Sequence, residues 1–69
     1  MIMRFSLWRD YGTDGTEFVM FVTQHNKSVS KRKVLKLYPL AERCGDSFCG
    51  DLTGEVLDSM KKNYTVVFA

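Results

Sequence analysis

FCGDLTGEVLDSMKKN, residues 48–63, is the stretch on which the reading of this chain turns. Phe48, Leu52, Val56 and Met60 recur every four residues, and Leu57 widens the stripe. That is the spacing of one apolar helix face, so the run predicts a single amphipathic helix lying over a core. Ser47 or Asp51 is a suitable N-cap, and Asp51 is preferred because glycine at 50 disfavours helix. Lys61 and Lys62 suit the negative end of the helix dipole, and Asn63 suits a left-handed stop.

Outside that run the pattern is that of strands and turns. Met1 to Trp8 alternates, with Met1, Met3, Phe5 and Leu7 on one face, which is the period of a strand. Arg9 to Thr16 contains Gly12 and an Asp14-Gly15 pair and predicts a turn, one longer than the two residues of a tight type I′ hairpin. Glu17 to Gln24 predicts a second strand. Both its faces are apolar: Phe18, Met20 and Val22 on one, Val19 and Phe21 on the other. Such a strand is central and covered on both sides, or it offers one face to a second copy of the chain. His25 to Ser28 predicts a turn. Ser30 to Tyr38 admits two readings. As a strand it turns Leu35 and Leu37 inward and Arg32, Val34, Lys36 and Tyr38 outward. As a helix capped by Ser28 or Ser30 it exposes its lysines over a poor apolar stripe. The strand is preferred, ended by Pro39, which cannot donate to a ladder. Tyr64 to Phe68 predicts a last short strand, docked beside the first or second.

The order β-β-β-α-β predicts one α+β domain over residues 1–69. It is a two-layer sandwich: a small, mostly antiparallel sheet covered on one face by a single helix. The composition suits a small core, with 45% apolar and 13% aromatic residues and one proline. Net charge is +2, too small to name a partner, but it is unevenly spread. Residues 1–38 carry Arg4, Arg9, Lys27, Lys31, Arg32, Lys33 and Lys36 against Asp10, Asp14 and Glu17. Residues 39–69 carry Arg43, Lys61 and Lys62 against five carboxylates. No signal-peptide pattern and no membrane-length apolar run is visible, and two cysteines do not make a secreted disulfide framework. The expectation is a cytoplasmic protein with reduced thiols.

Four constellations bear on function. Lys27, Lys31, Arg32, Lys33 and Lys36 could neutralise phosphates, with Trp8, Tyr11 and Tyr38 as stacking surfaces. On a strand, however, period two splits that patch, and edge lysines serve equally to discourage aggregation. Cys44 and Cys49 could form a short-loop disulfide, or join His25 and Asp46 in a zinc site, but four ligands are needed and the spacing is not that of a redox motif. The expected arrangement is a small core cysteine at 49 where the helix begins and a loop cysteine at 44, with no metal and no cofactor. His25 has no visible catalytic partners, and Asp51, Glu55 and Asp58 form a solvated helix side. Trp8, Tyr11, Tyr64 and Phe68 are candidate interface aromatics.

The resulting expectation is a non-enzymatic binding protein that works by protein–protein contact. Small accessory or inhibitory proteins of phage and mobile-element type fit that description by analogy of size. The expected contact residues are Lys31, Arg32, Lys33, Lys36, Tyr38 and Trp8, with a homodimer as a further expectation and no membrane contact. The alternative is a nucleic-acid-binding domain using Lys27 to Lys36.

Overall fold

The computed structural model describes residues 2–12, 15–45 and 47–69. Met1, Thr13, Asp14 and Asp46, invoked above for the first strand, the turns and the zinc alternative, lie outside the described residues. The elements are β1 (Ile2–Gly12), β2 (Gly15–Gln24), α1 (Lys31–Leu37), β3 (Ala41–Arg43), β4 (Phe48–Asp51), α2 (Gly54–Asn63) and β5 (Thr65–Phe68). The domain is α+β with a mostly antiparallel sheet, as its sequence predicts. The single helix is not: among the described residues there are two, and they cover opposite faces.

β1 and β2 form a long hairpin, paired from Met3 opposite Gln24 down to Gly12 opposite Gly15. Only Thr13 and Asp14 separate the last pair, so the connection is shorter than expected. The other edge of β1 is shared. β4 pairs with its first residues, Ile2 to Phe5, and β3 with Trp8 to Asp10. β5 runs parallel to β2, with Val19 opposite Thr65 and Val22 opposite Phe68.

Alternation along β1 and β2 sends their apolar residues to two cores. On one face Trp8, Val19, Phe21, Val34 and Ala41 are buried together, with Val29, Tyr38 and Val67 against them. On the other face lie Met3, Phe5, Met20 and Val22, with Leu7, Leu52, Met60, Tyr64 and Val66. α1 covers the first through Val34 and α2 the second through Met60. The doubly apolar β2 is therefore a central strand within one chain, and the argument for a dimer face on it lapses.

The preference for a strand over 30–38 gives way for local reasons. The Ser30 side chain caps α1, accepting from the Lys33 N–H at 3.2 Å. Val29, just before the cap, packs in the same cluster as Val34, four residues into the helix. That is a hydrophobic staple, which fixes the angle at which the chain enters a helix. Pro39 and Leu40 then turn the chain, and the Ala41 N–H donates to the Tyr38 carbonyl at 2.9 Å.

The 48–63 run divides. Phe48 to Asp51 is strand β4, and Phe48 sets its ring edge-to-face against Phe5 across the ladder. The helix begins only at Gly54, capped by Thr53, whose hydroxyl accepts from the Val56 N–H at 3.3 Å. Asp51 therefore lies in β4 and not on α2 with Glu55 and Asp58. Asn63 is not a left-handed stop. It stays helical and its side-chain amide donates to the Ser59 carbonyl at 3.1 Å.

Candidate contact surface

α1 puts the cations of its segment on one side. At about 100° per residue, Arg32, Lys33 and Lys36 fall within an arc of about 100°, roughly opposite the buried Val34. The helix thus reunites a patch that a strand would have split. Lys31 lies on the flank facing β3, and Lys27 precedes the helix. Between Glu17 and Glu42 the chain itself carries no Asp or Glu. Leu37, at the end of α1, is 50% exposed, and Leu40, in the turn that follows, is 64% exposed.

Tyr38 and Trp8 require correction as open contact residues. Tyr38 ends α1 and packs edge-to-face on Phe21, ring centroids 5.8 Å apart. Trp8 is 4% exposed. Both belong to the core that α1 covers, because a helix over this face needs large apolar partners beneath it. Trp8 does, however, line a groove of about 380 Å³ between α1 and β3, together with Val29, Lys31, Ala41, Glu42 and Arg43. Its indole Nε1 has no hydrogen-bond partner among the described residues.

At the end of the sheet beyond α1, His25 and Asn26 occupy the centre of a turn with φ of 56° and 60°. The Lys27 N–H reaches back to the Gln24 carbonyl at 3.4 Å, the pattern of a type I′ turn. His25 is thus one of the two turn residues. It borders an open cleft of about 440 Å³ whose wall includes Lys27, Ser28 and Lys33 but no cysteine.

Cys44 lies in a loop, as its sequence predicts, but Cys49 is not a core residue at the helix entry. Cys49 is exposed on β4 and Cys44 is half-buried after β3; both are free thiols. Cys49 sits opposite Arg4 in the ladder, accepts from its Nε at 3.2 Å, and donates to the Asn26 side-chain oxygen. Arg4 Nη1 also donates to Ser28 Oγ at 2.6 Å. These bonds tie the turn before α1 to the sheet. Among the described residues no three His, Cys, Asp or Glu side chains gather as a metal site.

On the opposite face Arg9, Tyr11 and Glu42 form a chain. Arg9 Nη1 donates to the Tyr11 hydroxyl at 3.0 Å, and that hydroxyl donates to Glu42 Oε2 at 2.8 Å. The bond to Tyr11 pushes the Arg9 pKa up, holding its positive charge. Tyr11 is therefore committed to a structural link.

No helix among the described residues is long and apolar enough to cross a membrane. No family model, curated protein or solved structure matches the chain.

Proposed function

We propose that this is a non-enzymatic binding domain whose working surface is the outer side of α1, and that its partner presents an acidic protein surface. One observation carries the reading: Arg32, Lys33 and Lys36 share a face of α1, and Leu37 at the end of that helix and Leu40 in the turn after it are exposed. An acidic protein surface with apolar groups between its carboxylates satisfies both parts, the cations by charge and the leucines by burial. Occupation of such a surface blocks it to others, which is how a small inhibitory protein of phage or mobile-element type acts.

A second reading rests on the carboxylate-free segment. A nucleic-acid backbone would satisfy the cations, but it would leave the two leucines in water and, with Trp8 and Tyr38 in the core, would find no stacking platform among them.

The test is a pull-down from cell extract with wild-type protein, R32E/K33E/K36E and L40D. The expected result is a partner that survives nuclease treatment and is lost with both variants. Retention on a DNA or RNA column that falls steeply with salt, is abolished by the charge reversals and ignores L40D would replace the protein reading with the nucleic-acid one. A partner indifferent to both variants would sink the α1 surface.

A further inference from the structure

The two edges of the sheet are finished differently. On the outer side of β1 the edge is broken into two short strands, β3 and β4, which carry Glu42, Arg43 and Asp51. Breaks and charges of that kind keep further strands from adding. At the opposite edge β5 pairs with β2 alone among the described residues. Tyr64 to Ala69 carry no charged side chain, no proline and no glycine.

The ladder shows which backbone groups this open edge offers. The Ala69 N–H donates to the Val22 carbonyl at 2.8 Å. Residues turned toward a neighbouring strand alternate with residues turned away, so Thr65 and Val67 also face β2. The N–H and C=O groups of Val66 and Phe68 therefore point outward. Donors and acceptors at two-residue spacing are complemented by another extended chain. A phosphate backbone supplies no N–H, and a helix has used both groups internally.

The ends of β5 specify what that chain carries. Phe68 and Ala69 share the open cleft of about 440 Å³ with Lys27 and Lys33, and among the described residues no Asp or Glu lines it. Tyr64 and Thr65 share a second hollow, of about 420 Å³, with Lys61, Lys62 and Glu17. Glu17 is engaged there, accepting from the Thr65 hydroxyl. An uncharged strand thus runs between two lysine-walled hollows, and its ends, Thr65 and Phe68, lie roughly 10 Å apart at about 3.3 Å per residue. Its complement is apolar in the middle and acidic at both ends. A second copy of this chain does not meet that description. Antiparallel pairing of two β5 strands about Val67 would bring the Lys33 hollow of one against the Lys61 and Lys62 hollow of the other.

We propose that the open edge of β5 receives an extended segment of the protein that docks on α1, paired antiparallel as a further strand, with apolar residues at its centre and carboxylates at both ends. The assignment rests on the proposed function. Lys33 belongs both to the first hollow and to the outer side of α1, so the two surfaces adjoin.

The outward and inward amides of β5 make the test. ¹⁵N-labelled protein is titrated with the blocked peptide Ac-Glu-Glu-Val-Val-Val-Glu-Glu-NH₂ and amide hydrogen exchange is followed. Exchange at Val66 and Phe68 is expected to slow about tenfold at saturation, while Val67, already turned to β2, changes little. The glutamine analogue is expected to bind about tenfold more weakly. K61E/K62E, at exposed positions, is expected to keep the free protein's spectrum and to weaken the peptide about fivefold. Phe68→Pro removes one outward N–H from an edge where proline is tolerated, and is expected to abolish the slowing at Val66. No slowing at about 10 mM peptide, beyond the range of a weak specific site, overturns the proposal. So does slowing at Val67 without Val66 and Phe68, or an equal effect of the glutamine peptide. R32E/K36E separates this from the proposed function, because neither residue lines either hollow. A partner lost with R32E/K36E beside a peptide without effect removes the added strand alone; a peptide that protects Val66 and Phe68 beside a partner indifferent to R32E/K36E removes the α1 surface alone.

Discussion

Single residues explain where the chain departs from its patterns. His25 holds a left-handed backbone that β-branched residues tolerate badly and glycine accepts freely. Its presence in the turn needs no catalytic reason. His25→Val is expected to cost about 1–2 kcal/mol, whereas His25→Gly is expected to be nearly neutral; urea denaturation of the two variants checks this. Equal losses would mean that the imidazole, not the backbone, holds the turn. Ser30 is the residue that makes 31–37 a helix. Ser30→Ala removes the cap and is expected to lower stability by about 1 kcal/mol, while Ser30→Asp is expected to restore it, both read by thermal unfolding. These signals were in the sequence. Ser30, with Val29 and Val34 spaced as a staple, argued for helix more strongly than the Leu35–Leu37 alternation argued for strand.

At the level of elements, one stripe misled because two elements feed one core. Phe48 and Met60 both serve the face formed by Met3, Phe5, Met20 and Val22, one from β4 and one from α2. Their spacing of four therefore persists across a boundary that Thr53 marks. The cationic residues Lys31, Arg32, Lys33 and Lys36 were legible as a cluster, but their common face was not, since it exists only at helical period. The groove over Trp8 could not be read at all, because it joins residues from β1, the segment before α1, and β3. The elements also differ in how firmly they are held. α2 buries no residue completely, whereas β2 buries Val19, Met20, Phe21, Val22 and Thr23. Native-state hydrogen exchange is expected to show α2 opening at markedly lower free energy than the β1–β2 hairpin. Uniform protection across both would show that the domain opens only as a whole.

For the whole molecule, covering both faces of the sheet changes the outlook on assembly. The Cα radius of gyration is 11.6 Å, close to the roughly 11 Å expected of a compact chain this long. With β2 covered on both sides, sedimentation at micromolar concentration is expected to show a single species of 8.0 kDa; a stable dimer would show that another face is in use. The charge of the molecule is concentrated rather than large. Association with an acidic partner is therefore expected to slow steeply as salt rises, and K36E to act mainly on the association rate. An association rate indifferent to ionic strength would argue that the leucines, not the cations, govern encounter.

The parallel pairing of β5 with β2 fixes the order in which the molecule can be built. β1 and β2 are neighbours in the chain and meet early, but β5 reaches β2 only after both helices and two strands have been spanned, a long closure with a larger entropic toll. The last strand should then be absent from the rate-limiting barrier. Val67→Ala is expected to speed unfolding and leave refolding nearly untouched, while Phe21→Leu slows refolding. A stopped-flow chevron in which Val67→Ala shifts the refolding arm would mean that the far end of the chain is recruited first.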